Sequence, residues 1–405
     1  MLFSKKRLAT GILAVNMAML FMVSGCSDKD AKNHKYFHDV DGYYSLVDEG
    51  YKASVKKQSE GTSWAYAASV SMESSYKFRY GKDNTFDPQG IMKAVQGPYK
   101  EEGYLLSDGV KGDKAGGNTW QITETLSNGV GGCILSEASD YTGMSIDVIK
   151  SAIMTNGAMS VSIDYLDSIL LGEYDGYTTY NNPYPDKFDY SVVIVGWDDN
   201  FPKDYFGRPA SQNGAWLVQN GLGEKWGNNG YFWVSYDTAM SNLTVFKVSN
   251  EYSSVLSYDG GCENKISTGS TTRVGNVYHH PGLIRGIGTY TTEPNQSITI
   301  DIFDGEFKTL LYSQDVTFDI PGYHTVALSK ELDLNDFSVA ITYSGAAPVE
   351  GEGWNDTDIS YIVGIDEGQS FVYLNNMWRD MAYMSTVKSL GIDFIPNNGC
   401  IKVLY

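Results

Sequence analysis

The sequence predicts an α+β domain followed by an all-β sandwich, and three observations carry that prediction. Helical periodicity is confined to the first half of the chain, short apolar runs of strand character follow it, and beyond about Ser253 strands alone remain. The length of 405 residues allows two or three domains with a sizeable buried core. With 42% hydrophobic residues and 8 Trp, 30 Tyr and 16 Phe, the chain is neither disordered nor fibrous.

The first element is an address. Lys5-Lys6-Arg7 form a basic n-region, and Leu8 to Val23 is an apolar run broken only by Thr10, Gly11 and Asn16. The run is short for a bilayer span and has the flanks of a signal peptide. It ends in Val23-Ser24-Gly25-Cys26 before polar Ser27-Asp28-Lys29-Asp30, which resembles the lipobox of bacterial lipoproteins. The expectation is a leader over 1–25, a lipidated Cys26, a polar tether over 26–38 and a chain anchored to the membrane outside the cytoplasm. An ordinary secretory signal that contains a Cys is the alternative. Loss of 1–25 removes three positive charges, so a net charge of −19 becomes −22. That acidity argues against nucleic acid as a partner and against adsorption to anionic lipid.

Residues 39–252 are expected to form the α+β domain. Ser63 to Tyr80 reads as a helix, with Tyr66, Ser69, Val70, Glu73 and Lys77 at three- and four-residue spacing, and Ile146 to Asn156 as a second, stopped by Gly157. Met159 to Ile163, Val192 to Val195, Ala215 to Val218 and Tyr231 to Tyr236 read as strands. No Gly-x-Gly-x-x-Gly or phosphate loop interrupts them, and no cofactor is implied.

Residues 253–405 are expected to form the sandwich. Ile298, Ile300 and Ile302 alternate with Thr299 and Asp301, and Asp304-Gly305 is a hairpin turn leading to Lys308 to Ser313. His324 to Leu328, Phe337 to Tyr343, Phe371 to Leu374 and Ile401 to Tyr405 complete the strands. Asp259-Gly260-Gly261 and Ser267 to Thr272 are the most flexible compositions near the join.

The chemistry-bearing stretch runs from Val55 through Gln58, Gly61, Ser63, Trp64 and Ala65-Tyr66-Ala67. It resembles the active-site segment of papain-family cysteine peptidases, where Gln, a Gly-containing loop, Cys, Trp and Ala-aromatic-Ala run into a central helix. Asp189 to Trp197 is similar to that family's His-containing strand. Gly214 to Asn220, with Trp226-Gly227 and Gly230-Tyr231-Phe232, is similar to its Asn-containing segment, and Gly116-Gly117-Asn118 to the glycine run that pairs with substrate backbone. The second domain is similar to the lectin-like sandwich that follows papain domains in some secreted bacterial proteins. The resemblance implies an α+β papain-like domain with a helical half and a β half. It places Ser63 at the Cys position, Tyr190 at the His position, Gln58 at the oxyanion position and Asn220 at its own, with Gly116, Gly117, Trp64 and Trp226 lining the substrate cleft.

In that family a Cys at a helix N-terminus is held as thiolate by a His, and an Asn orients the His ring. A Ser hydroxyl needs a base, and a tyrosine, titrating near ~10, leaves only about one phenolate in a thousand at pH 7. The five His stand at 34, 38, 279, 280 and 324, so the 240 residues from Asp39 to Tyr278 hold none. His279 and His280 would need an unusual domain docking to reach Ser63, and Lys56 or Lys57 would need to lose its proton in a Ser–Lys arrangement. Two departures add to this. Four residues separate Gln58 from Ser63, where the family has five, and Asn220-Gly221-Leu222-Gly223 replaces Asn-Ser-Trp-Gly. The expectation is a non-catalytic homologue that binds peptide or protein in the former cleft.

Two other readings stay open: a peptidase with Ser63 as nucleophile, and a sandwich that binds cell-envelope glycan through Tyr278, Tyr290, Trp354 or Trp378. Other residues have plain structural readings. Thr62 and Ser63 are good helix N-caps. Tyr190 fills the His space with its hydroxyl bonded to Ser63, Asn220 or water. Asp198-Asp199-Asn200 makes a turn rather than a metal site. Cys133, Cys262 and Cys400 form no metal spacing, and Cys262 and Cys400 could be bridged.

Overall fold

The computed structural model describes residues 42–59, 61–96, 103–106, 116–130, 133–164, 171–355 and 359–405. The leader 1–25, Cys26, the tether 26–38, His34 and His38 lie outside the described residues, as do Glu60 and the side chain of Trp354.

The first body is built round the helix Ser63–Tyr80, whose bounds are those the spacing predicts. Every residue from Ser63 to Ser75 is buried, so this helix is a core element on all sides rather than an amphipathic surface one. Its serines make that possible. Ser71 donates to the Ala158 carbonyl at 2.7 Å and accepts from the Phe246 N–H at 3.0 Å, and Ser75 donates to the Phe246 carbonyl at 2.6 Å. Small hydroxyl side chains thus let strands approach the helix while satisfying their backbone groups. Gly81, at φ 64°, ends the helix in the left-handed region.

The helix Ile146–Asn156 also has its predicted bounds, with Gly157 closing it. Two further helices, Pro88–Gln96 and Thr119–Ser127, are present that the spacing analysis does not give. The strands Met159–Ile163, Tyr190–Asp198, Ala215–Gln219 and Tyr231–Ser235 form consecutive antiparallel pairs, with Ser162 opposite Ser191 and Trp216 opposite Val234.

The second body rests on two long antiparallel strands, Thr271–Thr291 and Gly322–Ser344. The segments His324 to Leu328 and Phe337 to Tyr343, read from sequence as separate strands, are parts of the latter. Bulges at His279/Gly282 and Ile284/Gly286 bend the first strand, so that Val274 pairs with Val372 at one end and Gly286 with Leu404 at the other. Asp304-Gly305 turns the chain between Gln296–Asp304 and Thr309–Phe318 as expected, with Gly305 at φ 60°. Ile298, Ile300 and Ile302 all point into the core beside Val339 and Ile341. This body is β-rich but not all-β, because the helix Met384–Leu390, closed by Gly391 at φ 67°, packs Val387 inward.

From Asp39 onward the chain forms one compact unit, and the two bodies share a hydrogen-bonded seam. Gly322, Tyr323 and His324 pair with Ser139, Ala138 and Glu137 of the first body. Glu124 of the helix Thr119–Ser127 accepts from the Cys262 N–H at 2.7 Å, and a Cβ on Gly261 would lie 2.4 Å from the Glu124 carboxyl carbon. Gly260-Gly261 is therefore a wrapping for a buried carboxylate rather than a slack linker.

Candidate active site

Three chain segments meet at the N-terminus of the central helix. Ser63 opens that helix, Tyr190 opens the strand Tyr190–Asp198, and Asn220 follows the strand Ala215–Gln219. The Asn220 backbone is fixed at both ends: its N–H donates to the Gly230 carbonyl at 2.8 Å, and its own carbonyl accepts from the Tyr66 hydroxyl at 2.9 Å, while its side-chain Nδ2 is buried without a hydrogen bond. Gln219 Nε2 donates to the same Tyr66 oxygen at 2.9 Å. Burial pushes the Tyr66 hydroxyl up to about 12, so it stays a protonated donor.

The Tyr190 hydroxyl donates to Asn220 Oδ1 at 2.7 Å. The Ser63 hydroxyl accepts from the Ser191 backbone N–H at 3.2 Å. Ser63, Tyr190 and Asn220 are 7%, 6% and 0% exposed, so the hydroxyl at the nucleophile position sits in packed surroundings. An imidazole has two nitrogens, one to engage an Asn and one to face a nucleophile. A phenol has a single oxygen at its tip, and here its proton is committed to Asn220.

No other base reaches Ser63 among the described residues. Lys56 Nζ pairs with the buried carboxylate of Glu73, on the central helix, and also donates to the Phe86 carbonyl at 2.8 Å. Lys57 is exposed and forms a bridge with Leu222. His279 pairs with Asp336 at 2.8 Å and His280 packs edge-on to Tyr405, both within the second body. His324 is buried at the seam, stacked on Phe318.

Gln58, expected at the oxyanion position, lies against Gly221. Its N–H donates to the Gly221 carbonyl at 2.7 Å, and its Oε1 is buried without a hydrogen bond. A Cβ on Gly221 would lie 1.9 Å from that oxygen. Leu222, at the position of the missing Trp, is 37% exposed. Trp64 is buried with its Nε1 donating to the Gly61 carbonyl at 3.0 Å, and a Cβ on Gly117 would lie 2.4 Å from the indole. Gly117 is therefore needed for contact with Trp64, and Gly116, at φ 71°, turns the chain toward it. Asn118 next caps the helix Thr119–Ser127 in a capping box with Gln121. Trp226 packs edge-on to Phe232.

Several expectations need correction. Thr62 occupies the N-cap position, but its hydroxyl turns back to the Ser59 carbonyl at 2.8 Å and caps nothing. Of the candidate glycan-stacking aromatics, Tyr278 and Tyr290 are core residues at 0% and 1% exposure. Trp378 stacks on Phe307 at 3.9 Å with Arg273 over its ring, so its faces are occupied. As expected, Asp198-Asp199-Asn200 makes a turn, in which the Asn200 N–H donates to Asp198 Oδ1 at 2.8 Å and Asp199 pairs with Lys150. Cys262 and Cys400 are buried neighbours in the seam and unbridged, with Cys133 half-buried. The residues that sequence reasoning missed are Tyr66, Gly221 and Ser191. Only Gly221 carried a signal, as the companion of the shortened Gln58 loop.

Comparison with known proteins gives two family matches: papain family cysteine protease over residues 47–253, and lectin like domain over 255–403. Cathepsin K of Mus musculus is 24% identical over 198 residues, which are 45% of this chain and 56% of that protein. The viral cathepsin of Cydia pomonella granulosis virus is 24% identical over 224 residues, 49% and 57% of the two chains. The chain thus spans little more than half the length of these relatives. The solved cysteine protease and lectin-like domains of Cwp84, a surface layer associated protein of Clostridium difficile, match with a TM-score of 0.71 at 17% identity, covering 91% of this chain and 89% of that one. A second Cwp84 structure, after propeptide cleavage, gives 0.71 at 18% identity, with 89% and 98% covered. These likenesses show a common two-body fold.

Proposed function

The chain belongs to the papain family of cysteine proteases and carries a lectin-like domain behind its papain-like one; from that premise we propose that it binds peptide or protein in the former substrate cleft without hydrolysing it. The observation that carries this reading is the hydrogen bond from the Tyr190 hydroxyl to Asn220 beside a serine in place of the cysteine. Attack by Ser63 on a peptide carbonyl requires a group to take its proton. The Ser63 hydroxyl accepts from the Ser191 N–H, a donor that accepts nothing. A neutral phenol whose proton is held by Asn220 offers only a weakly basic lone pair, and Lys56 is neutralised by Glu73. Among the described residues, attack on the carbonyl has no proton acceptor.

The retained frame supports binding in its place. Trp64, Gly117 and Trp226 keep their family positions, and Leu222 presents an apolar side chain at the rim. The lipobox-like end of the leader supports a lipid anchor at Cys26, and the description of Cwp84 as surface layer associated fits a location outside the cytoplasm. Cys26→Ala is expected to move the protein from the membrane fraction to the soluble one.

The deciding experiment measures peptide hydrolysis and peptide binding on the same preparation, using a fluorogenic peptide library. Expected are saturable binding that Leu222→Arg weakens, and turnover no greater than that of Ser63→Ala. Turnover that disappears in Ser63→Ala would establish a serine peptidase and overturn the reading. So would peptide binding that persists unchanged in Leu222→Arg.

A further inference from the structure

In the second body Lys402 Nζ contacts the carboxylate of Asp259, and both side chains are 0% exposed. Burying both ions costs hydration that their mutual attraction only partly offsets. Backbone pairing fixes the two groups in place. The strand Ile401–Leu404 has Lys402 opposite Ser257 on one side and Gly288 on the other. Asp259 lies two residues beyond Ser257, and Tyr290 two beyond Gly288, so both stand on the face of Lys402. Lys402 Nζ accordingly sits over the Tyr290 ring, 5.5 Å from its centroid. The Asp259 and Gly260 carbonyls accept from Asn128 Nδ2 at 3.1 and 3.2 Å, which holds the backbone that carries the carboxylate.

Two more carboxylates border the pair. Glu350, 0% exposed, accepts the Gly260 N–H at 2.7 Å with Oε1 and Asn398 Nδ2 at 3.1 Å with Oε2. Glu124, also 0% exposed, accepts the Cys262 N–H at 2.7 Å.

An amine held against a carboxyl group, out of water and beside proton carriers, has what amide formation needs. Low dielectric favours the neutral amine and acid over the two ions. The neutral amine is a nucleophile, and fixed contact stands in for an effective concentration of about 10⁵–10⁸ M. Enclosure also withholds the water that would hydrolyse the product. We propose that Lys402 Nζ and Asp259 Cγ condense into an intramolecular amide, closing residues 259–402 into a covalent ring. The ammonium first passes a proton to Asp259 Oδ2. Nζ then bonds to Cγ, and a second Nζ proton, relayed by the bordering carboxylates, moves to that hydroxyl, which leaves as water. One N–C bond forms, one C–O bond breaks, and no oxidant or reductant takes part. The ion pair is the state in which the chain folds, and the bond follows folding. The product has a neutral group where two charges were buried. The inference goes beyond the cleft reading and shares no residue with it.

The test is a tryptic map of the purified full chain by tandem mass spectrometry, repeated after incubation. Expected is a branched peptide joining the Asp259 and Lys402 segments, one water lighter than the two peptides together, with a yield that grows on incubation. On denaturing gels the ring-closed chain should run ahead of the open one. Lys402→Arg keeps a cation for Asp259 but has no condensing amine, so it should give neither the branch nor the faster band. Asp259→Asn should give a branch of identical mass, releasing ammonia in place of water. Asp259-Gly260 has a second way to lose water, as a cyclic imide, although Glu350 engages the Gly260 N–H that would have to attack. That product is linear and would persist in Lys402→Arg. The proposal is overturned if Asp259 and Lys402 are recovered only in separate peptides after incubation, or if the cyclic imide is the only dehydrated product. Neither result bears on peptide binding in the cleft, so the two readings fail separately.

Discussion

Replacing His324 with Gln should flatten the dependence of stability on pH between about pH 7 and pH 5. His324 is 5% exposed, stacks on Phe318 at 4.1 Å between centroids, and donates from Nε2 to the Ile320 carbonyl at 3.0 Å. Burial disfavours the imidazolium and outweighs the nearby Glu137 carboxylate, so the ring titrates at about 4 instead of 6.5. Because the folded value lies below the unfolded one, the unfolded chain binds the proton first on acidification. Stability is therefore full above pH 6.5 and is lost as the pH falls toward 4. At 1.36 kcal/mol for each tenfold change, the whole effect is about 3 kcal/mol, of which about 2 kcal/mol falls between pH 7 and pH 5. Glu137, held low by Lys247 at 2.8 Å against its own burial, has the same sign but acts in a window below about 4.5. Gln keeps a donor for Ile320 and cannot titrate. Urea unfolding at both pH values should show a loss of about 2 kcal/mol in the parent that is absent from the variant. Equal pH slopes, or an NMR titration of the ring near 6.5, would refute the reasoning.

Three further perturbations test the packing. Lys402→Met should destabilise by about 3–5 kcal/mol in urea, because it strands Asp259 in a pair that is 0% exposed on both sides, and Lys402→Met with Asp259→Leu should recover most of that loss. Gly117→Ala, which sets a methyl 2.4 Å from Trp64, should cost about 1–3 kcal/mol and alter the tryptophan emission spectrum. Tyr190→Phe keeps the ring but leaves buried Asn220 Oδ1 without its donor; calorimetry should show a loss of about 1–3 kcal/mol.

What the sequence made legible was mainly local. The bounds of the helices Ser63–Tyr80 and Ile146–Asn156 followed from spacing and from the glycines that close them. The helices Pro88–Gln96 and Thr119–Ser127 carried equally local signals: Asp87 accepts from the Gln89 and Gly90 N–H groups, and Asn118 pairs with Gln121. Those caps precede short segments whose apolar stripes are too brief to register as periodic. The Tyr190–Asn220 contact was legible because the three segments keep their family order. The seam was not. Glu124, Cys262, Asp259 and Lys402 come together across more than a hundred residues, and nothing in the neighbours of each announces its partner.

The residues at the family's catalytic positions form two pairs of close contacts. Tyr190 preserves the hydrogen bond that an imidazole would give Asn220, so the strand and the loop stay tied at 2.7 Å while the second nitrogen, the one catalysis uses, is gone. Gln58, drawn in by the shorter loop, lies where a side chain at 221 would stand, and residue 221 is a glycine. The fit is one of shape more than of polarity, since Gln58 Oε1 and Asn220 Nδ2 are buried without a hydrogen bond. The Ser63–Tyr190–Asn220 region has the burial and backbone anchoring of a protein core. Restoring Cys and His alone would therefore have to undo packing that now contributes to stability. The papain frame is held here by contacts among the side chains that stand at the family's catalytic positions.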